Sequence, residues 1–301
     1  MVVGRFAPTP SGRMHLGNVF SALLAWLSAR SQGGEIVLRM EDLDTQRTSS
    51  DFAETLRGDL KWLGLDYDRE TAPQSLRSKV YDRYFDALLQ KKMLYPCYCT
   101  RSQLHSVNAP HLSDGTYVYP GTCRTLTPQQ REQMDRLPAW RVIVPDKVWS
   151  VDDLVQGHFE MNLAKDCGDM VVRRADGVYV YQLAVTVDDG EAGVTEVVRG
   201  CDLLSSAPRQ MYLQDLFGFP HPRYAHVPML LAPDGRRLSK RDRDLDLGQL
   251  RRNYRPEDII GLLAHAAGLT EKRESICAAE LVKLFSWDKI HGSAVYLQDI
   301  M

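Results

Sequence analysis

Val2-Val3-Gly4-Arg5-Phe6-Ala7-Pro8-Thr9-Pro10-Ser11-Gly12, followed by His15-Leu16-Gly17-Asn18, decides the fold. Val2 to Phe6 is a short apolar run of strand type. Pro8 and Pro10 exclude a helix from the loop after it, and Val19, Leu23, Trp26 and Leu27 then recur at helical spacing. Gly33-Gly34 stops that helix. Ile36, Leu38 and Met40 alternate, so Glu35 to Glu41 reads as a second strand ending in the acidic cluster Glu41-Asp42-Leu43-Asp44. Strand, loop, helix and strand make a βαβ unit, and α/β folds gather their ligand-binding loops at the strand C-termini.

Outward from this unit, Phe52, Leu56, Leu60 and Leu63 share a helix face, as do Val80, Tyr84, Phe85, Leu88 and Leu89. From Tyr95 to about Lys165 the helical period gives way to cysteines, glycines and strand-like runs such as Trp140 to Val144, the pattern of an inserted subdomain. Strands are expected again at Met170 to Arg173, Tyr179 to Val187 and Val194 to Arg199, in a second α/β half. Leu250, Ile259, Ile260, Leu262 and Leu263 predict a small helical tail.

With 301 residues, 44% of them hydrophobic and 25% charged, the composition is globular and excludes collagen, coiled coil and wholesale disorder. Lys and Arg number 37 against 39 Asp and Glu, so any nucleic-acid contact must come from a local patch. Such a patch exists: eight basic residues face three acidic ones between Arg236 and Arg255. The N-terminus lacks a secretory pattern and no run approaches a membrane span, so a cytosolic protein without membrane contact is expected. Cys97, Cys99, Cys123, Cys167, Cys201 and Cys277 are too sparse for a disulfide framework. The first three fall within 27 residues, a spacing that suggests a metal.

His15-Leu16-Gly17-Asn18 opens a helix, whose unpaired N–H groups and positive dipole end favour a phosphate. Gly17 lacks a Cβ that would keep a nucleotide from the backbone. A preorganised donor such as His15 can contribute roughly 2.7–4 kcal/mol as charge builds on a phosphoryl oxygen. Arg237-Leu238-Ser239-Lys240-Arg241 follows the turn Pro233-Asp234-Gly235, and there Lys240 as a point charge and Ser239 as a donor suit a triphosphate. Alone, each segment would read as a helix cap or a solvated basic loop.

Together they stand in a known order. Arg5 to Gly12, His15-Leu16-Gly17-Asn18, Leu38-Arg39-Met40-Glu41-Asp42, Val198-Arg199-Gly200 and Arg237-Leu238-Ser239-Lys240 resemble, up to about Gly268, the glutamyl branch of the class I aminoacyl-tRNA synthetases. The resemblance implies a Rossmann-type catalytic domain with a parallel sheet, an inserted zinc-knuckle subdomain and a small C-terminal helical subdomain. The expected boundaries are 1–94 and 166–235 for the catalytic halves, 95–165 for the insertion, and 236–301 for the Ser-Lys segment and helical tail.

It also implies roles. His15 and Lys240 would be catalytic; His15, Gly17, Asn18, Ser239 and Lys240 would hold ATP, with Mg²⁺ accompanying it. Asn18 stands where many class I enzymes carry a second histidine and donates without becoming cationic. Arg5, Ala7, Pro8, Thr9, Glu41, Tyr181 and Arg199 match the glutamate pocket. Independently, an acidic amino acid needs cations for its carboxylates, which Arg5 and Arg199 offer, and an anion for its ammonium, which Glu41 offers. Glutamine would leave guanidinium charge under-compensated, a mismatch able to discriminate by about 10⁴–10⁵-fold. Cys97, Cys99, Tyr119 and Cys123 resemble the family's structural zinc site, with His105 or His111 as chemical substitutes for the tyrosine.

Only 61 residues follow Lys240, leaving no expected room for the large anticodon-binding portion of ordinary glutamyl-tRNA synthetases. The resemblance is therefore closest to the shorter paralogues that attach glutamate to the queuosine of tRNA(Asp). The expected partners are queuosine-containing tRNA(Asp), L-glutamate and ATP, with the chain acting as a monomer. The alternatives are a compact glutamyl-tRNA synthetase charging the tRNA 3′ end and a noncatalytic tRNA-binding module.

Overall fold

The computed structural model describes residues 1–100, 102–103, 118–232, 234–236, 238 and 246–296. Strand β1 (Val3–Phe6) leads into helix α1 (Leu16–Ser31), β2 (Glu35–Leu38), α2 (Ser50–Leu63) and β3 (Arg69–Glu70). β1 pairs with β2 and β2 with β3, all parallel. The turn from α1 back to β2 requires glycine. Gly33 has φ +62°, and a Cβ on Gly34 would stand 2.4 Å from Val2 O.

After α3 (Ser78–Gln90) the chain leaves the parallel sheet. β4 (Leu94–Cys97), β5 (Ala139–Val142) and β8 (Met170–Arg173) form an antiparallel sheet in that order, and β6 (Val148–Asp153) with β7 (Gly157–Asn162) makes a hairpin. Met170 to Arg173 is thus a strand, as expected, but it belongs with β5 and not with a second parallel half. Asp169 anchors it there: Asp169 O accepts from Arg141 Nη1 at 2.6 Å and Asp169 Oδ1 from Val144 N at 2.8 Å.

The strand predicted at Tyr179 to Val187 is instead a helix, α4 (Tyr181–Glu191). Leu183 to Asp189 are all buried, so the run lacks the polar stripe that marks a surface helix and reads as an unbroken apolar strand. The helix faces are likewise shifted. α3 buries Tyr81, Phe85 and Leu88 and leaves Leu89 exposed, and α2 leaves Phe52 exposed.

The chain returns to the sheet through β9 (Glu196–Gly200), α5 (Ser206–Phe217) and β10 (Arg223–Val227), with β9 and β10 parallel. β9 lies beside β1 in the same direction: Thr195 N donates to Val3 O at 2.9 Å, and Arg5 Nη1 to Val198 O at 2.6 Å. Two parallel sheets, β3-β2-β1 and β9-β10, thus meet edge to edge at β1 and β9. Alternate residues of β9 and β10 face opposite sides. Val197 and Tyr224 join the core under α3, α4 and α5, while Val198, Ala225 and Val227 join the core around α1 and α2. A parallel sheet buried on both faces is the α/β arrangement expected from the first forty residues.

Leu230–Leu231 (β11) pairs with Val295–Tyr296 (β12), and α6 (Leu247–Asn253) and α7 (Pro256–Ala266) form the predicted tail. Asp246 Oδ1 caps α6 by accepting from Gln249 N at 3.0 Å. The tail is stitched to the first loop. Leu247 N donates to Met14 O at 2.9 Å, His15 and Asp246 form an antiparallel bridge, and Arg251 Nη1 reaches the buried Asp59 carboxylate of α2 at 2.7 Å. Among the described residues, no helix is long and apolar enough to cross a membrane.

Candidate active site

The strand order reverses between β1 and β9, and in open α/β sheets ligands bind in the crevice beyond the strand C-termini at such a point. A cleft of about 550 Å³ opens there. Arg5, Ala7, Pro8, Thr9, His15, Gly17, Asn18, Glu41, Tyr181 and Arg199 all border it. Thus every described residue assigned above to the amino acid or ATP meets in one cavity. Ser239 and Lys240 lie outside the described residues; Leu238, adjacent to them, also lines the cleft.

Local geometry explains each position. Pro8 O accepts from Glu41 N and Phe6 O from Arg39 N, both at 3.0 Å, which lays the Pro-rich loop beside the end of β2. His15 has extended backbone and serves as the N-cap of α1, with Asn18 Oδ1 accepting from its N–H at 3.3 Å. A Cβ on Gly17 would come within 3.1 Å of the His15 ring, so glycine here makes room for the imidazole as well as for a ligand.

Two buried arginines, Arg5 and Arg199, line the cleft, a third, Arg39, lies behind Glu41, and their partners differ. Arg39 is fully enclosed: Nη1 meets Asp189 Oδ1 at 2.5 Å, Nη2 meets Glu41 Oε1 at 3.1 Å, and Nε lies 3.8 Å from Asp188 Oδ2. Burial works against its charge, but these carboxylates hold it well above the usual guanidinium range. Arg5 has one distant carboxylate, Asp189 Oδ2 at 3.8 Å; burial, aided by Arg199 and Arg39, holds it below the usual range. Arg199 has no carboxylate within ion-pair distance among the described residues. Its Nε donates to His226 Nε2 at 3.0 Å, Nη1 to Gln210 Oε1 at 2.8 Å and Nη2 to Leu203 O at 3.3 Å. Glu41 is pushed up by burial despite Arg39, and burial also raises Tyr181, whose hydroxyl lies 3.4 Å from Arg199 Nη1.

Sequence reasoning held Arg39 within a motif without giving it a role, and missed Asp189, His226 and Asp153. The acidic pair Asp188-Asp189 at the end of an apolar run was a signal for the first of these three. Nothing local marks the other two, since His226 Nδ1 meets Asp153 Oδ2, at 2.6 Å, across 73 residues of chain.

A second constellation lies in the antiparallel region. The sulfur atoms of Cys97, Cys99 and Cys123 all lie within 4.8 Å of one another. Tyr119 Oη is 3.4 Å from Cys97 Sγ and 3.8 Å from Cys99 Sγ, and Arg141 Cζ stands 3.6 Å from the Tyr119 ring centroid. Burial raises the Cys97 thiol, but Arg141 and Tyr119 outweigh it and hold the group below its ordinary value. Burial and Cys123 push Cys99 up to about 12. Three convergent sulfurs are donors of the kind that hold a metal such as zinc, and a phenol oxygen lies beside them. His105 and His111 lie outside the described residues.

The family described as tRNA synthetases class I (E and Q), catalytic domain, matches residues 1–297, and the chain belongs to it. A ligase of the aminoacyl-tRNA synthetase type, as the motifs implied, follows from that membership. Within the family the chain is 44% identical over 304 residues to Glutamyl-Q tRNA(Asp) synthetase of Symbiobacterium thermophilum, covering 96% of this chain and 94% of that protein. It is 46% identical over 282 residues to Glutamyl-Q tRNA(Asp) synthetase of Nitratidesulfovibrio vulgaris, covering 89% and 87%. Among solved structures, it is similar to a glutamate tRNA ligase from Elizabethkingia meningosepticum in complex with its amino acid, with TM-score 0.82 and 29% identity. That match covers 98% of this chain and 66% of the ligase, so the chain spans about two thirds of its length.

Proposed function

We propose that this chain activates L-glutamate with ATP and transfers the glutamyl group to the queuosine base of tRNA(Asp). A carboxylate oxygen of glutamate attacks the α-phosphorus of ATP in line, and pyrophosphate leaves with the electron pair of the broken P–O bond. A queuosine hydroxyl then attacks the activated carbonyl, losing its proton as AMP departs. No side chain forms a covalent intermediate, so catalysis consists of positioning and charge stabilisation.

Arg5 and Arg199 bind the carboxylates, Glu41 receives the ammonium, Tyr181 lends its hydroxyl, and the Ala7-Pro8-Thr9 loop shapes the wall. His15, Gly17 and Asn18 hold the phosphates at the start of α1, while Ser239 and Lys240 stabilise the leaving pyrophosphate. Mg²⁺ accompanies ATP and neutralises phosphate charge. Cys97, Cys99, Tyr119 and Cys123 hold a zinc ion, which cross-links a segment poor in core residues. A monomer suffices, since one chain carries the whole cleft, and the cytosol is where tRNA, glutamate and ATP meet.

The observation that carries this reading is the single cleft shared by two incompletely compensated guanidiniums, a carboxylate and a helix start. The test is labelling of tRNA(Asp), with and without queuosine, using ATP and radiolabelled glutamate. Label confined to the queuosine-containing tRNA is expected. Equal labelling of both would replace the acceptor with the tRNA 3′ end, and no glutamate-dependent pyrophosphate exchange would remove the activity itself.

A further inference from the structure

Arg199 is a buried cation held by neutral acceptors. An imidazole nitrogen, an amide oxygen, a phenol oxygen and a backbone carbonyl take four of its five N–H groups. Such a site binds the guanidinium in place without cancelling its charge, which suits a pocket awaiting an anion.

The imidazole can play this part in only one form. The Arg199 Nε–H is always a donor, so His226 Nε2 must carry a lone pair and its proton must sit on Nδ1. There the Asp153 carboxylate accepts it at 2.6 Å. Asp153 is itself fixed: its Oδ1 accepts from the backbone N–H groups of Val155, Gln156 and His226 at 2.9–3.0 Å. The His226 ring is fully buried and stacks on Tyr224, with centroids 5.9 Å apart and planes 13° apart. On the opposite side, Gln210 Nε2 donates to Gln182 Oε1 at 3.1 Å, which directs Gln210 Oε1 toward Arg199.

We infer that Asp153 and His226 are positioning residues that aim the Arg199 guanidinium at a carboxylate of the amino-acid substrate by fixing one imidazole tautomer. The inference rests on the reading that Arg199 binds glutamate, and it extends the pocket to the β6–β7 hairpin, whose Asp153 touches no ligand. A freely rotating guanidinium would lose affinity for the acid while leaving the ATP contacts intact.

The experiment is glutamate-dependent ATP–pyrophosphate exchange with His226→Asn, His226→Gln, Asp153→Asn and Arg199→Leu, alongside thermal melting of each. Asparagine keeps a donor near Nδ1 but withdraws the acceptor from Arg199, and glutamine restores an acceptor near Nε2. His226→Asn should raise KM for glutamate by about 10- to 100-fold, the range of a charged hydrogen bond, with KM for ATP unchanged. His226→Gln should return it to within about threefold of the parent chain. Should His226→Asn fail to fold, Asp153→Asn gives the same reading, because its amide can donate to Nδ1 and impose the wrong tautomer. An unchanged glutamate KM in the folded variants, or equal increases for glutamate and ATP, overturns the inference. If Arg199→Leu alone raises the glutamate KM, only the positioning role falls; if Arg199→Leu also leaves it unchanged, the assignment of the pocket falls with it.

Discussion

Arg39 and Asp189, 150 residues apart in the chain, form a buried ion pair with Nη1 and Oδ1 separated by 2.5 Å. It joins the residue after β2 to α4, beside Glu41 and Arg5, which line the cleft. Removing Arg39 leaves Asp189 with the more distant Arg5, at 3.8 Å, and takes from Glu41 the guanidinium at 3.1 Å. Arg39→Met should lower unfolding stability by about 3–5 kcal/mol in urea titration. An Arg39→Lys variant, which keeps a cation among the three carboxylates, should lose less, and equal stability of all three chains would contradict this account.

His226 gives the protein a sensitivity to mild acid. Burial holds it below its ordinary value of 6.5, with Arg199 and Arg5 adding to the effect and Asp153 opposing it. Because the folded value is depressed, both states are neutral well above 6.5, and below it the unfolded chain takes up a proton that the folded chain refuses. Stability from this residue is therefore lost as pH falls below the unfolded value. Asp153, itself depressed from 3.8 because its hydrogen bonds and the imidazole outweigh burial, titrates outside this window, and Glu41, raised by burial, shifts stability in the opposite sense. Melting temperatures between about pH 7.5 and about pH 5.5 should drop more for the parent chain than for His226→Gln.

Gly17→Ala tests the crowding at the helix start. The added Cβ would meet the His15 ring at 3.1 Å and displace it by a few tenths of an ångström. We expect the KM for ATP to rise by about 3- to 10-fold in pyrophosphate exchange, since a donor moved from its place loses much of its effect. Stability should stay the same or increase by up to about 1 kcal/mol, because alanine is the better helix former. An unchanged ATP dependence would separate His15 from the phosphates.

The cysteine cluster predicts metal content. The purified chain should carry roughly one zinc per molecule, retained through dialysis against a weak chelator. Cys123→Ser should abolish it, and Tyr119→Phe should lower retention while leaving the three thiols able to bind. Metal analysis reads both, and a metal-free parent chain with full thermal stability would argue for three reduced thiols.

The residues that bracket the cleft were legible because they sit in short segments at or near strand ends: Arg5 within β1, Glu41 after β2 and Arg199 within β9 all belong to apolar runs of strand length. Lys240 was named by the same reasoning and lies outside the described residues. α4 was not legible, because a helix buried all round carries no period for a reader to find. The antiparallel pairing of β8 with β5 was also hidden, since a strand's apolar pattern does not name its neighbour. The hold on Arg199 was hidden for a further reason. Asp153, His226 and Arg199 come from three separate strands, and only the closed structure brings them into one row.

The bridge between His15 and Asp246, with the hydrogen bond from Leu247 to Met14, has a consequence for biosynthesis. The corner at His15 is made by an early segment of the chain, yet its wall is braced by α6, which begins more than two hundred residues later. A ribosome-bound fragment ending before Asp246 would lack that brace. The wall of the cleft is thus complete only once Asp246 and Leu247 have docked on the first loop.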